Sequence, residues 1–166
     1  MLETGRELTR EEAQEIVARH YRDVLAYCRR HATCAADAED AAQETFLRFV
    51  RARPRYRDRG RPLAYLLTIA RNVCSDAARA RARDAAELPE DIPDEAAERA
   101  EERTELSLAL ARLHPDEREA LELRYGCGLR VGEVAGALGV SRFAASRRIR
   151  SALAALRREL GEGDVP

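Results

Sequence analysis

The residues best suited to chemistry are arginines near the C-terminus. Arg147, Arg148 and Arg150 follow Ser141 within one segment of helical periodicity. A guanidinium group can bind a phosphate, or the edge of a guanine, through two parallel hydrogen bonds. An arginine cluster on one helix therefore predicts DNA binding. The alternative is an ordinary helix pair whose arginines are only solvated.

The segment before this cluster, residues 132–141, has the residue types of a helix-turn-helix. Ala135 is small where two helices would approach closely, and Gly139 supplies the positive φ of a tight turn. Val140 would anchor the turn in the core, and Ser141 can cap the next helix by accepting a backbone N–H bond. The predicted inward face of that helix consists of Ala145, Ile149, Leu153 and Leu156. The opposite, outward face of the helix carries arginines, and this is the face predicted to meet DNA.

Charge is distributed in blocks along the 166 residues, although the formal net charge is only −1. All 29 basic residues are arginine. Residues 51–83 hold ten arginines and two acids, residues 84–105 hold ten acids and two arginines, and residues 112–160 are basic again. This basic, acidic, basic order predicts two basic domains joined by an acidic connection.

The chain reads as all-α, since helical periodicity recurs and alternating apolar-polar runs are missing. We predict a first domain over residues 9–83, an acidic flexible linker over 84–95, and a second domain over 96–160 that contains the helix-turn-helix. The predicted helices span residues 9–31, 37–53, 62–83, 95–113, 115–125, 131–138 and 141–160.

Local signals support the first domain. Thr9 and Glu12 fit a capping box, and Pro62 suits a first helical turn. Tyr21 on the first helix and Val50 on the second are expected to face the core. An extended conformation is expected for residues 84–94, which contain Pro89 and Pro93.

Several stretches resemble one family. Residues 37–49 (DAEDAAQETFLRF) resemble the polymerase-binding segment of bacterial sigma factors of the extracytoplasmic-function group, and residues 65–76 (YLLTIARNVCSD) resemble their promoter-melting segment. Residues 113–125 and the helix-turn-helix resemble their fourth conserved region. The resemblance covers roughly residues 12–160, in the expected order.

The resemblance implies three sets of binding residues. The residues implied for the clamp helices of the polymerase β′ subunit are Asp40, Gln43, Glu44 and Leu47. Those implied for the −10 element, where a base is flipped from the non-template strand, are Arg55, Arg57, Arg59, Arg61, Tyr65, Arg71 and Asn72. Those implied for the −35 element are Ser141, Arg142, Phe143, Ser146, Arg147 and Arg150.

Three positions depart from the family pattern. Tyr65 stands where tryptophan is usual, and Ala145 replaces a larger aliphatic residue, which predicts looser packing of the recognition helix. Phe143 occupies a position where a small residue is common; contact with a thymine methyl and simple packing both stay open. Two roles are also open for Arg148, namely contact with DNA or support of the fold.

The resemblance also gives the acidic linker two interpretations. It would thread the basic RNA channel of the polymerase as a polyanion that mimics RNA, or it would only supply solubilising charge.

A metal site is a weaker hypothesis. Cys28, His31 and Cys34 lie within seven residues, but a structural zinc site usually has four ligands and no fourth is evident. Cys28 falls on an apolar face, where free cysteine acts as a small core residue. We expect Cys74 in the core and Cys127 in an exposed turn. No metal and no cofactor are expected.

The leading hypothesis is a sigma factor that needs core RNA polymerase, with the β′ clamp helices, the β flap and promoter DNA as partners and an anti-sigma factor as a possible further one. The alternatives are a stand-alone helix-turn-helix regulator and an interaction protein that never touches DNA. The chain shows no phosphate loop, nucleophile elbow or paired-histidine motif, so we expect no enzyme activity. It shows neither an export signal nor an apolar run long enough to cross a membrane, so a cytoplasmic location is expected.

Overall fold

The computed structural model describes residues 7–56, 60–87 and 104–161. The regular structure within these ranges is helical, which confirms the all-α prediction. The chain divides into two compact units, Met1–Pro93 and Asp94–Pro166.

The first unit contains helices α1 (Arg10–His31), α2 (Ala35–Ala52) and α3 (Pro62–Glu87), and each packs against the other two. The predicted capping box opens α1. Thr9 Oγ1 accepts a hydrogen bond from the Glu12 N–H at 3.2 Å, and Glu12 Oε2 accepts one from the Thr9 N–H at 2.8 Å. Two donors that the helix leaves unsatisfied at its start are thereby paired.

Helix α2 begins two residues earlier than predicted because Cys34 acts as its N-cap. The Cys34 Sγ accepts a hydrogen bond from the Asp37 N–H at 3.5 Å, and Thr33 Oγ1 donates to Asp37 Oδ2 at 2.6 Å. The Thr33 hydrogen bond is the largest of the effects that lower the pKa of Asp37, and the charge of Arg81 acts in the same direction. A lowered pKa means that folding favours the carboxylate, so this contribution to stability is lost when acid protonates Asp37.

The core of the first unit combines a few large side chains with many alanines. The largest fully buried side chains of this unit include Tyr27, Phe49, Leu66 and Leu67. The hydroxyl of Thr45 is also fully buried, and it donates to the Ala41 carbonyl at 2.7 Å, so no polar group is left unsatisfied there.

Two core predictions for this unit are wrong. Tyr21 and Val50 were expected to face the core, but they are 45% and 43% exposed. Helical periodicity identifies an apolar stripe; it does not tell which of its flanks a neighbouring helix covers.

Two predicted boundaries also differ. Helix α3 continues to Glu87, so the first four residues expected in the extended segment are helical; alanine there favours helix, and the next proline is Pro89. Residues 95–103 of the helix expected over 95–113 lie outside the described residues. The described helix begins at Glu105, because Thr104 is extended and its hydroxyl caps the Ser107 N–H at 3.2 Å. The rest of the predicted linker lies outside the described residues.

The second unit contains α4 (Glu105–Arg112), α5 (Pro115–Leu121), a π-helical turn (Glu122–Gly126), α6 (Val131–Leu138) and α7 (Arg142–Glu159). Helix α7 is central, since it packs against α4, α5 and α6. The predicted helices at 131–138 and 141–160 are confirmed to within one residue, with Ser141 as the N-cap of α7.

Gly139 makes the turn between α6 and α7 possible. Its φ of 65° is left-handed, and the Val140 N–H donates to the Ala135 carbonyl at 3.0 Å across the turn. This is the hydrogen bond of a Schellman ending, which leads α6 directly into the cap of α7. Ser141 Oγ then accepts from the Ala144 N–H at 3.1 Å.

Two glycine substitutions test this turn. We expect Gly139→Ala to lower the free energy of unfolding by about 1–2 kcal/mol, because a side chain is strained in the left-handed region. Gly136→Ala is the matched control: it lies inside α6 with nothing within 4 Å of an added Cβ, so up to about 1 kcal/mol of stabilisation is expected. Urea unfolding followed by circular dichroism measures both. Equal shifts in the same direction would contradict the assigned turn.

Candidate functional site

Helix α7 buries one stripe and exposes the opposite one. The buried stripe consists of Ala145, Ile149, Ala152 and Leu156. On the outer side Phe143, Arg147 and Arg150 recur at spacings of four and three residues, and all three are exposed. At 3.6 residues per turn these side chains lie along one line, which we call the outer stripe of α7.

The other predicted −35 residues lie around this stripe. Arg142 is exposed at the first position of α7, whereas Ser146 is half-buried. Ser141 is exposed, and its hydroxyl oxygen is used by the helix cap. Ala145 is fully buried despite its small size, so the position where the family usually has a larger side chain is part of the core.

Arg148 belongs to the fold rather than to the outer stripe. Its Nη2 lies 3.0 Å from Asp116 Oδ2 on α5, and its side chain is only 27% exposed. The ion pair joins α5 to α7, which supports the second of the two readings that the sequence left open.

A groove of about 710 Å³ lies between α1 and α2. Its apolar lining includes Val17, Tyr21, Phe46, Leu47 and Val50. Three of the four predicted polymerase-binding residues also line it, namely Asp40, Gln43 and Leu47. We call this surface the α1–α2 groove.

Glu44 is directed elsewhere. Its Oε1 accepts a hydrogen bond from Arg48 Nε at 2.7 Å, and Arg48 Nη1 lies 3.6 Å from Asp76 Oδ2 on α3. The Glu44 hydrogen bond is the largest of the effects that raise the pKa of Arg48. Glu44 does not line the α1–α2 groove; it lines a smaller cavity of about 290 Å³ together with Cys74 and with Asp40, which lines both.

Sequence reasoning missed two residues of the groove, Tyr21 and Val50. Tyr21 stacks on Phe46 with ring centroids 5.7 Å apart, and this contact holds its ring over the groove while leaving it accessible. Both residues share the helical spacing of the core. Nothing in the sequence distinguishes a groove-lining apolar residue from a buried one.

Tyr65, one of the predicted −10 residues, belongs to an aromatic cluster with Phe49 and Tyr56. The Tyr56 ring lies 5.6 Å from that of Phe49 and 4.8 Å from that of Tyr65. Tyr56 is buried, and its N–H donates to the Ala52 carbonyl at 3.0 Å. The cluster lies where the chain leaves α2 and enters residues 55–61, which we call the arginine-rich connection.

Arg55 and Arg61 of this connection are exposed. On α3, Asn72 is exposed and Arg71 is half-buried. Tyr65 is half-buried, so part of its ring is used for packing within the cluster. Arg57 and Arg59 lie outside the described residues.

The four cysteines lie in different surroundings. Cys28 is buried beside Cys74, and the hydrogen bond between the two thiols, together with burial, raises the pKa of Cys28 well above its usual range. A thiol in such surroundings is unreactive. Cys34 is used as the cap of α2, and Cys127 is half-buried rather than exposed. No group of three metal-binding side chains occurs in the part of the chain that the structure describes.

None of the helices described above is both long enough and apolar enough to span a bilayer.

The ion pair between Arg148 and Asp116 generates a stability prediction. We expect Arg148→Ala to lower the free energy of unfolding by about 0.5–1 kcal/mol, since the pair is partly exposed and screened by water. The matched control is Arg147→Ala, one residue away and exposed, for which we expect a change within about 0.5 kcal/mol. Urea unfolding measures both. An equal loss of unfolding free energy in the two variants would show that the ion pair of Arg148 does not stabilise the fold.

Comparison with known proteins gives a consistent result. Residues 16–84 match the family model of sigma-70 region 2, and residues 109–158 match that of sigma-70 region 4. RNA polymerase sigma factor CarQ of Myxococcus xanthus is 35% identical over 167 residues, which cover 97% of this chain and 96% of that protein. ECF RNA polymerase sigma factor SigD of Mycobacterium tuberculosis is 38% identical over 130 residues, 70% of this chain and 61% of that protein.

Solved structures show the same fold. The sigma factor RpoE in its co-crystal structure with the anti-sigma factor NepR, from Bartonella quintana, superposes with a TM-score of 0.74 at 19% identity, covering 94% of this chain and 100% of that one. CnrH, in complex with the cytosolic domain of CnrY, gives 0.65 at 23% identity, covering 94% and 92%. Given the two sigma-70 regions in order and a relative that spans almost the whole chain, this protein belongs to the bacterial RNA polymerase sigma factors of the sigma-70 family, in the extracytoplasmic-function group.

Proposed function

We propose that this sigma factor binds core RNA polymerase through the α1–α2 groove and directs it to promoters through two DNA-binding surfaces. The first surface is the arginine-rich connection with the neighbouring part of α3, and the second is the outer stripe of α7. The observation that carries the proposal is that stripe: a helix-turn-helix whose second helix exposes arginines directly opposite its buried face.

The α1–α2 groove has the character of a site for another helix. Tyr21, Leu47 and Val50 are each more than 40% exposed, and Asp40 and Gln43 supply polar contacts beside them. Contiguous exposed apolar residues with polar neighbours are typical of protein interaction sites. We assign Asp40, Gln43 and Leu47 to contact with the β′ clamp helices, and Glu44 to the support of Arg48.

The −10 element would meet the arginine-rich connection. Arginines suit a single-stranded backbone because they attract phosphate, and nearby aromatic rings suit an unstacked base. Arg55, Arg61 and Asn72 are exposed for this purpose, and the aromatic cluster anchors the connection next to them. Separation of the strands at −10 would be stabilised by these contacts.

The −35 element would be read as duplex by α7 in the major groove. Arg147 and Arg150 are the residues we assign to base edges or phosphates. Arg142, at the start of the helix, is placed for a phosphate. The second unit would reach −35 while the β flap of the polymerase holds it.

The α1–α2 groove would also be a site of regulation. An anti-sigma factor that covered the α1–α2 groove would compete with the polymerase for this protein. The protein itself would contribute no catalytic group, because the polymerase carries out RNA synthesis. We place it in the cytoplasm, where the polymerase acts.

A stand-alone helix-turn-helix regulator is the alternative function. Such a protein needs α7 but has no use for the α1–α2 groove. The two hypotheses therefore differ in what core polymerase does to the protein's activity.

Run-off transcription with core polymerase tests the proposal. We expect promoter-dependent transcripts only with the protein present, and loss of most transcript with Leu47→Asp, because a charge in the groove opposes apolar contact. The control is Leu106→Asp, a similarly exposed leucine on α4 that belongs to none of the three proposed surfaces. DNA binding without any stimulated transcription would favour the stand-alone regulator.

The DNA contact of the outer stripe is tested by Arg147→Ala. We expect binding of holoenzyme to its preferred −35 sequence to weaken by about 1–3 kcal/mol if Arg147 contacts a base. Fluorescence anisotropy over a series of salt concentrations measures the loss. A uniform loss on all sequences with a shallower salt dependence would instead identify Arg147 as a phosphate contact.

A further inference from the structure

Phe143 is a large apolar side chain that the fold leaves mostly exposed. It is the second residue of α7 and is 71% exposed, more than any other large apolar side chain in the described residues. The ring contacts found in the described ranges do not include it. The simple packing that the sequence left open is therefore not what the structure shows.

The position of Phe143 on α7 points away from the core. The buried stripe begins at Ala145 on the opposite side of the helix, while Phe143 lies in line with Arg147 and Arg150. Hydrophobic burial within the chain cannot account for a ring at this place. An apolar ring in line with two exposed arginines indicates a partner that offers both negative charge and an apolar group.

The first turn of α7 supports a DNA partner over a protein partner. It contains no acidic residue, and its first residue is Arg142. The positive end of a helix dipole ordinarily favours acids at this place, so a basic first turn is unfavourable for the isolated helix and suited to a phosphate. Phe143 therefore directly follows an arginine, Arg142, whose guanidinium suits a phosphate of the DNA backbone.

We propose that Phe143 reads the C5-methyl group of a pyrimidine in the −35 duplex, which makes it a specificity-determining residue. The inference rests on the proposed function of α7. A phenyl ring forms no ordinary hydrogen bond, and the thymine methyl is the apolar group that the major groove presents. Residues near the N-terminus of a recognition helix reach base edges, whereas those further along reach neighbouring bases and phosphates. Phe143 thus selects thymine at one position beside the bases or phosphates that Arg147 and Arg150 contact.

Replacement of thymine by deoxyuridine tests the proposal, since it removes only the methyl group. Holoenzyme first selects −35 sequences from a randomised duplex library, and each thymine of the selected site is then replaced singly. We expect one position at which wild-type affinity falls about fourfold, the value of one buried methyl-sized group. Phe143→Ala should bind the thymine and deoxyuridine duplexes equally at that position and respond like wild type at all others.

Folding does not obscure this comparison. The ring is exposed and alanine favours helix more than phenylalanine, so Phe143→Ala should keep the thermal midpoint of wild type. The matched control is Tyr125→Ala, which removes another exposed aromatic ring from the second unit but not from α7. This variant should retain the wild-type thymine preference.

The possible results distinguish failure of the role proposed for Phe143 from failure of the function proposed for α7. A selected site without a deoxyuridine-sensitive position, or one equally sensitive in Phe143→Ala, overturns the role of Phe143 and leaves the proposed function standing. Reduced transcription by Phe143→Ala with an unchanged thymine preference also overturns it, and indicates a protein contact. If holoenzyme selects no −35 sequence at all, the proposed function of α7 fails and the inference fails with it.

Discussion

Helices in both units approach one another through alanine, and the rest of each unit depends on this close approach. Ala38, Ala42 and Ala70 are fully buried in the first unit, as are Ala120, Ala145 and Ala152 in the second. Small side chains at a contact shorten the distance between helix axes. A helix packed in this way buries only a narrow stripe, so large apolar residues beside that stripe stay accessible. The α1–α2 groove is a consequence of this arrangement.

The same narrow packing divides the arginines into two classes. Arg48, Arg81 and Arg148 lie beside the core stripes and form ion pairs with acids of neighbouring helices. Arg147 and Arg150 lie opposite the core and are exposed. Since every basic residue of the chain is arginine, residue type carries no information about role, and the side of the helix decides it.

Helix α2 links the two proposed activities of the first unit. One side of it lines the groove with Leu47 and Val50, while Phe49 on another side contacts Tyr56 and Tyr65. The groove and the start of the arginine-rich connection are therefore built on one rigid element. Sites supported by packed helices keep a more precise geometry than sites on loops, which suits a protein that must hold polymerase and DNA together.

The sequence by itself determined the features that depend on neighbours a few residues away. The capping box of Thr9, the left-handed turn at Gly139 and the cap at Ser141 were all predicted, because their hydrogen bonds connect residues three to five apart. The all-α class and the order of the sigma-70 regions followed from periodicity and from family resemblance.

Tertiary structure alone decided which side of each helix is covered. It exposed Tyr21 and Val50, placed Arg48 beside Asp76 on α3, and joined Arg148 to Asp116 on another helix. Asp40, Gln43 and Leu47 line the groove, whereas Glu44 lines only the smaller cavity, which it shares with Asp40. Periodicity gives the direction of an apolar stripe, but its width depends on how closely the next helix approaches. That distance is set by contacts between residues far apart in the chain, which no local pattern contains.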